Sequence, residues 1–158
     1  MRDMTEIRWH ARAGQGAKTA SNILALALLR TGKSVQSFPE YGPERRGAPL
    51  RAYTRFGDRP VRRHDSVEEP DLVVVLDPSL LEEPAVREGV TSGTTVLVAP
   101  VGRFEPGFEN VAMLGAVAAV LGEPPLETLQ DAVVETLGEK APPDSLRAAA
   151  AEGFACRS

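Results

Sequence analysis

Cysteine is almost missing from this chain of 158 residues: the only one is Cys156, close to the end of the sequence. A single cysteine excludes an internal disulfide framework. It also excludes an all-cysteine iron–sulfur or zinc site built by this chain alone. A reducing, cytoplasmic compartment is the simplest context for such a composition.

Long apolar runs are lacking as well. The longest, residues 111–122, has 12 residues, whereas a helix that spans a bilayer needs about 20. Residues 1–6 are charged and contain no apolar signal-peptide core. The formal net charge is −4, so nothing in the overall charge indicates nucleic acid. We therefore expect one cytoplasmic domain over residues 1–158, with no membrane and no nucleic-acid partner.

Charge is unevenly distributed along the chain. Residues 40–63 contain seven arginines against three acidic residues, whereas residues 105–158 contain nine acidic residues against three basic ones. A basic middle and an acidic tail favour a local anion site or a charged docking face, the alternative being a solvated surface.

Hydrophobic patterns predict alternating strands and helices. Residues 72–76 form an unbroken, mostly β-branched run, which is typical of a strand buried in a parallel sheet. We predict strands over residues 5–11, 34–38, 50–56, 61–67, 72–76 and 94–99, and helices over 17–30, 80–88, 110–121, 126–137 and 145–152. Strand 61–67 is expected to pair with 50–56 as a hairpin across Gly57 and Asp58. The predicted fold class is α/β, a three-layer α/β/α arrangement around a mixed, mostly parallel sheet.

The connection between the first strand and the first helix resembles a phosphate-binding turn. Backbone N–H groups at a helix start point at an anion, and glycine lets the anion come close. The dinucleotide pattern G-x-G-x-x-G is incomplete, because Ala11 and Ala13 occupy its first two positions and only Gly16 matches the third. Near residue 36 there is no acidic side chain to bind a ribose. From the residues alone, a simple strand-to-helix connection is at least as good an interpretation.

Several blocks of sequence resemble the gamma subunits of pyruvate and other 2-oxoacid:ferredoxin oxidoreductases. They follow one another in the family's order and cover most of residues 5–137. The blocks are Arg8-Trp9-His10, Gly14-Gln15-Gly16, the proline-rich segment 38–49, residues 51–55, residues 70–78 and residues 110–116.

The resemblance implies a heteromeric enzyme that decarboxylates a 2-oxoacid on thiamine diphosphate and passes electrons through iron–sulfur clusters to ferredoxin. Thiamine diphosphate and the clusters would lie on partner subunits, and ferredoxin would be an indirect partner. The gamma unit would help to hold coenzyme A, whose phosphates suit arginine side chains and a helix N-terminus. The candidate cofactor-binding residues are Arg12, Gly14, Gln15, Gly16, Arg45, Arg46, Arg51 and Arg55; no catalytic residue and no metal ligand is predicted.

The chain departs from the family pattern in two places. The family's turn usually reads G-R-G-G-Q-G, where this chain has Ala11 and Ala13 in place of two glycines. Only a short loop separates Pro100 from Asn110, so about one α/β unit of the family is missing and the fold should be shortened. Both departures favour the alternative of a structural gamma subunit in a complex that does not use coenzyme A. A stand-alone Rossmann-like nucleotide-binding protein and a non-enzymatic scaffold are further alternatives.

Four other polar residues have two interpretations each. His10 and His64 have the chemistry of acid–base catalysts, but neither has a setting that favours it. Asp77 ends a predicted buried strand, so it is either a ligand contact or, as we favour, the cap of the following helix. Glu40 is expected to pair with Arg45, Arg46 or a neighbouring subunit.

Overall fold

The computed structural model describes residues 4–40 and 48–156. Its strands are β1 (Met4–Arg12), β2 (Ser34–Pro39), β3 (Pro49–Gly57), β4 (Leu72–Val75) and β5 (Thr95–Val98). Its α-helices are α1 (Ala17–Arg30), α2 (Pro84–Arg87), α3 (Glu109–Leu121), α4 (Leu126–Leu137) and α5 (Pro143–Ala155), and a 3₁₀ helix spans Pro78–Glu82.

The five strands form one mixed sheet in the order β2-β3-β1-β4-β5. β4 is parallel to both β1 and β5, whereas β3 is antiparallel to β1 and β2. Four strands therefore run in one direction and β3 runs against them, which confirms the mixed α/β class. The carboxyl ends of β1 and β4 lie side by side, and this edge is where ligands bind in open α/β sheets.

The two faces of the sheet are covered very differently. One face carries Ile7, Trp9 and Val74, and it packs under α1, α3, α4 and α5 in the main apolar core. On the other face, in the part of the chain that the structure describes, Val73 and Val75 pack with Leu80 of the 3₁₀ helix and Val86 of α2, with Val98 of β5 at the margin. The three layers are thus unequal, with a thick helical layer on one side and two short turns of helix on the other.

Helix α3 is apolar on almost every side because it is enclosed. Eight of its residues are buried, since α5, α4 and α1 pack around it. The backbones of α3 and α5 meet at Gly115 of α3 and Gly153 of α5, which have no side chain. A Cβ on Gly115 would overlap the Ala150 carbonyl, and a Cβ on Gly153 would overlap the Ala112 carbonyl. The two helices are therefore in direct backbone contact.

Two predicted elements are wrong. Residues 61–67 form no strand, because both edges of β3 are already occupied by β1 and β2. The helix expected over 80–88 is divided, because Pro84 has no N–H to continue the ladder and its ring clashes with the preceding turn. Within residues 4–40 and 48–156, no helix is long and apolar enough to cross a membrane.

Candidate functional site

Two glycines set the shape of the turn between β1 and α1. Gly14 has φ +93° and Gly16, the N-cap of α1, has φ +83°, a region in which only glycine is unstrained. Ala11 is fully buried in the core, and the Ala13 N–H donates to the Ala48 carbonyl at 2.9 Å. The two alanines that replace the family's glycines therefore lie where the backbone does not need glycine.

The start of α1 keeps its capacity to bind an anion. Its N-cap makes no side-chain hydrogen bond, and its first turn contains no acidic residue. Helix N–H groups without a side-chain cap attract negative charge. Next to them lies a cavity of about 310 Å³, which is open to solvent and lined by Gly14, Gln15, Gly16, Leu76, Gly107, Glu109 and Asn110.

Residues at the start of α3 complete this cavity, and the motif reasoning did not assign them to it. Asn110 lies so close to Gly16 that a Cβ built on the glycine would be 3.1 Å from the Asn110 Cγ. Glu109 accepts a hydrogen bond from the Gly107 N–H at 2.8 Å. The only sequence signal for this contribution is that Asn110 opens one of the blocks that resemble the family.

A polar network centred on Asp77 holds the turn in place. The Asp77 carboxylate accepts hydrogen bonds from the Ser79 N–H at 3.0 Å and from Gln15 Nε2 at 2.9 Å. Arg12 Nε lies 3.4 Å from Asp77, and Arg12 Nη2 donates to Ser79 Oγ at 2.9 Å. The prediction that Asp77 caps the following helix is confirmed, although that helix is 3₁₀.

The charge state of this network follows from its hydrogen bonds. The pKa of Asp77 is lowered, mainly by the hydrogen bonds from Ser79 and then by the hydrogen bond from Gln15 and the charge of Arg12. Asp77 is therefore ionised at neutral pH, and it competes with any incoming anion for Arg12.

The arginines of β3 do not gather around the turn. Arg51 Nη2 donates to Glu40 at 2.8 Å, its Nε contacts the same carboxylate, and Arg51 lines a separate cavity with His10 and Glu40. Arg55 is fully buried, and its Nε donates to Glu6 at 2.8 Å. Of the eight predicted cofactor contacts, the structure brings together Arg12, Gly14, Gln15 and Gly16 only, while Arg45 and Arg46 lie outside the described residues.

Glu40 and Tyr53 form a second polar group around Arg51. The Tyr53 hydroxyl donates to Glu40 at 2.8 Å, and burial, followed by that hydrogen bond, raises the pKa of Tyr53 to about 12. Burial alone would raise the pKa of Glu40, but the hydrogen bonds from Arg51 and Tyr53 outweigh it and lower the pKa. Glu40 is thus an ionised partner of Arg51 within this chain, whereas we had expected it to pair with Arg45, Arg46 or another subunit.

His10 is held in its neutral form. It is buried in β1, and Arg8 Nε donates to its Nε2 at 2.8 Å. Burial, followed by the charges of Arg8 and Arg51, lowers the pKa of His10 to about 3. A base this weak does not take up a proton near neutral pH, so the geometry gives no support to acid–base catalysis by His10.

The fold and this cavity define a class: an α/β protein with a glycine turn and a solvent-open cavity at the carboxyl edge of its parallel strands. A family model for pyruvate ferredoxin/flavodoxin oxidoreductase matches residues 6–106. The chain is 43% identical to pyruvate synthase subunit PorC of Thermotoga maritima, with 90% of this chain and 88% of the relative covered.

Two further comparisons agree. The pyruvate/ketoisovalerate oxidoreductases common subunit gamma of Thermococcus kodakarensis is 44% identical, with 87% of this chain and 91% of the relative covered. The crystal structure of pyruvate oxidoreductase subunit PORC from Thermotoga maritima matches with a TM-score of 0.81 at 38% identity, over 98% of this chain and 97% of that one. The chain belongs to the pyruvate ferredoxin/flavodoxin oxidoreductase family.

The alignment lengths also bear on the size of the fold. The alignment with the Thermotoga maritima relative spans 169 positions, more than the 158 residues of this chain. The relative therefore contains residues without a counterpart here, while the loss of a whole α/β unit stays a prediction.

Proposed function

We propose that this chain is the gamma subunit of a 2-oxoacid:ferredoxin oxidoreductase, which decarboxylates a 2-oxoacid such as pyruvate and reduces ferredoxin. The observation that carries the proposal is the identity of 43% and 44% to subunits of pyruvate synthase and of pyruvate/ketoisovalerate oxidoreductases, over nearly the full length of each relative. The matching crystal structure, a pyruvate oxidoreductase subunit, supports the same assignment.

Redox chemistry in the proposed complex belongs to partner subunits, which hold thiamine diphosphate and the iron–sulfur clusters. A cluster of the common type is held by four cysteine thiolates, and this chain has one cysteine. In the part of the chain that the structure describes, no group of three or more His, Cys, Asp or Glu side chains has the geometry to hold a metal ion. Ferredoxin would accordingly receive electrons from a partner and not from this subunit.

The contribution of this subunit would be to hold coenzyme A at the turn between β1 and α1. The fit is supported by the absence of a side-chain cap on α1 and by the open space beside Gly14, where a built Cβ meets nothing within 4 Å. A phosphate would accept hydrogen bonds from the backbone N–H groups at the start of α1, since the Gln15 N–H already donates to the Arg12 carbonyl, and it would draw Arg12 away from Asp77. Arg51, which is paired with Glu40 beside a separate cavity, and the buried Arg55 are no longer candidates, whereas Arg45 and Arg46 stay candidates from the sequence.

Selection of the 2-oxoacid would then be the task of other subunits. The Thermococcus kodakarensis relative is a subunit common to pyruvate and ketoisovalerate oxidoreductases. A subunit shared between two substrates does not itself choose between them. We extend that division of labour to this chain.

The test is a steady-state assay of the complex purified with this chain, which follows 2-oxoacid-dependent reduction of a viologen dye at varied coenzyme A concentration. Arg12→Gln removes the cation at the turn, and loss of one charge-assisted hydrogen bond of about 1.5–3 kcal/mol should raise the KM for coenzyme A by about tenfold or more. The KM for the 2-oxoacid should not change. Ser79→Ala is the matched control, because it removes an internal partner of Arg12 and keeps the charge.

The outcomes separate the two parts of the proposal. If Arg12→Gln raises the KM for coenzyme A and leaves the KM for the 2-oxoacid unchanged, both the gamma-subunit assignment and the coenzyme A site are supported. If the complex is active but indifferent to coenzyme A, the chain remains a gamma subunit with a structural role. If the purified chain recovers no cluster-bearing partner and no activity, the assignment as a gamma subunit fails.

A further inference from the structure

A second cavity lies on the face of the sheet that carries the 3₁₀ helix and α2. It has a volume of about 220 Å³ and is open to solvent. His10 of β1 and Arg51 of β3, which lie opposite each other in the sheet, form its polar wall together with Glu40. Leu80 of the 3₁₀ helix and Val86 of α2 form its apolar wall. This cavity shares no lining residue with the one at the start of α1.

A buried hydrogen-bond donor faces this cavity. The His10 side chain is 3% exposed, and its Nε2 accepts a hydrogen bond from Arg8 Nε at 2.8 Å. Because a guanidinium group only donates, the proton of the neutral imidazole is on Nδ1. Within residues 4–40 and 48–156 this N–H has no acceptor. In the same part of the chain, Arg55 Nη2 is the only buried side-chain nitrogen or oxygen that is closed off from solvent without a hydrogen bond, so the Nδ1–H of His10 is in contact with the open cavity.

The charged side chains around the cavity favour a neutral ligand. Arg51 and Glu40 are paired with each other, and the exposed Glu83 also lines the cavity. A bound anion would be repelled by Glu40 and Glu83, whereas a bound cation would be repelled by Arg51 and would offer no acceptor to His10. A neutral group with a hydrogen-bond acceptor avoids each of these costs.

We propose that this cavity binds a small neutral molecule whose carbonyl oxygen accepts a hydrogen bond from His10 Nδ1–H and whose apolar part packs on Leu80 and Val86. Leu80 and Val86 are themselves buried in the second apolar cluster, so the apolar wall is formed in advance. One directed polar group in a mostly apolar lining fixes the orientation of a ligand. At about 30 Å³ for each water-sized group, the volume admits a ligand of about seven non-hydrogen atoms.

Nuclear magnetic resonance of the imidazole groups tests the site directly, because the chain has only two histidines and the exposed His64 is an internal control. In the isolated full chain near neutral pH, Nδ1 of His10 should be the protonated nitrogen. The probe is isobutyramide, a neutral amide of the expected size. It should shift the His10 Nδ1 proton resonance saturably, with a dissociation constant of about 50 mM or lower, and leave His64 unchanged.

Two probes with a similar carbon skeleton and opposite charges show whether neutrality matters. Isobutyrate and isobutylammonium should each bind at least about fivefold more weakly than isobutyramide, because each meets a like charge on the wall.

A pair of variants separates the hydrogen bond from the shape of the cavity. His10→Met removes the donor and keeps a weak acceptor for Arg8, so it should weaken isobutyramide binding by about 2- to 12-fold, the contribution of one neutral hydrogen bond. His10→Gln restores a donor and should bind within about twofold of the wild type. Circular dichroism shows whether each variant is folded, and the wild-type titration does not depend on either.

The proposal is overturned if isobutyramide produces no saturable shift at His10, if Nδ1 carries no proton, or if either charged probe binds more tightly than the amide. Equal affinity of the wild type and a folded His10→Met variant would also overturn it, because the hydrogen bond would then contribute nothing. These measurements use the chain alone without coenzyme A, so a negative result leaves the assignment as a gamma subunit intact.

Discussion

Burial decides what each charged side chain on the sheet is able to do. The Arg55 side chain is fully buried and its partner Glu6 is 8% exposed, so separating them would leave a buried charge with only the more distant Asp65, 3.7 Å from Arg55 Nη2, to balance it. The side chain of Arg51 is 27% exposed and its partner Glu40 is 41% exposed, so this pair exchanges partners at much lower cost. Arg55 therefore has a structural role in β3. Arg51, four residues earlier on the same strand, is able to exchange Glu40 for another anionic group.

Gly16 is constrained both by its backbone conformation and by the neighbouring Asn110. Gly16→Ala should therefore destabilise the protein strongly. A side chain at φ +83° costs about 1–2 kcal/mol of backbone strain, and the new methyl group would also collide with Asn110. We expect Gly16→Ala to lower the free energy of unfolding by about 2–5 kcal/mol, the sum of about 1–2 kcal/mol of strain and about 1–3 kcal/mol of overpacking. Urea unfolding followed by circular dichroism measures the change.

Gly14 supplies the matched control for that experiment. It also has a positive φ, but a Cβ built on it meets nothing within 4 Å, so Gly14→Ala should cost only the strain of about 1–2 kcal/mol. The double variant Gly16→Ala/Asn110→Ala should recover the steric part of the loss. Equal losses at Gly14 and Gly16, with no recovery in the double variant, would show that Asn110 does not limit this position.

At the scale of elements, the contact between α3 and α5 depends on glycine. Alanine normally stabilises a helix interior by about 1 kcal/mol relative to glycine, but a Cβ at Gly153 would overlap the Ala112 carbonyl. Gly153→Ala should therefore reverse the usual sign and destabilise the protein by about 1–3 kcal/mol.

Thermal and urea unfolding test this reversal. The adjacent exposed residue gives the control, since Glu152→Ala should change the free energy of unfolding by no more than about 0.5 kcal/mol. Stabilisation by Gly153→Ala would mean that α3 and α5 are farther apart than the backbone contact requires.

Local patterns were enough to predict most elements but not how they pair. The run at residues 72–76 and the apolar helices 110–121 and 126–137 are governed by nearby residues, and the structure contains each of them. Whether residues 61–67 form a strand depends on a free edge of β3, and that edge is taken by strands distant in sequence. Pro84 is visible in the sequence, and it divides the predicted helix 80–88 for a local reason.

The candidate site was predictable to a similar extent. The turn 12–16 is a local motif, and its glycines have the backbone conformation that such a motif needs. Asn110 and Glu109 reach the same cavity only through packing of α3, which no local pattern reports. Arg55 was predicted as a cofactor contact but is buried. Alternation in a strand shows which residues share a face, but it does not show whether that face is covered.

At the scale of the whole molecule, the face of the sheet away from the helices contains buried polar groups, and this makes stability sensitive to pH. His10 is the clearest case, because its pKa is lowered from 6.5 to about 3, first by burial and then by the charges of Arg8 and Arg51. Glu40 acts in the opposite direction but does not compensate. Below pH 6.5 the unfolded chain binds a proton at His10 that the folded chain does not.

The sign of the effect follows from that difference in proton binding. The free energy of unfolding should fall as pH decreases from about 6.5 towards 3, by up to about 1.4 kcal/mol per pH unit from this residue. Between pH 7 and pH 5 the wild type should lose about 2 kcal/mol through His10. His10→Gln preserves an acceptor for Arg8 and cannot take up the proton, so the variant should lose about 2 kcal/mol less over the same interval.

Urea unfolding at both pH values gives the comparison, with His64→Gln as the control because His64 is an exposed histidine. The wild-type pH dependence should persist in that control. Equal losses in the wild type and in His10→Gln would mean that His10 takes up its proton while the protein is folded. The pair between Arg8 and His10 would then open without unfolding, and the polar face of the sheet would be accessible to water in the native state.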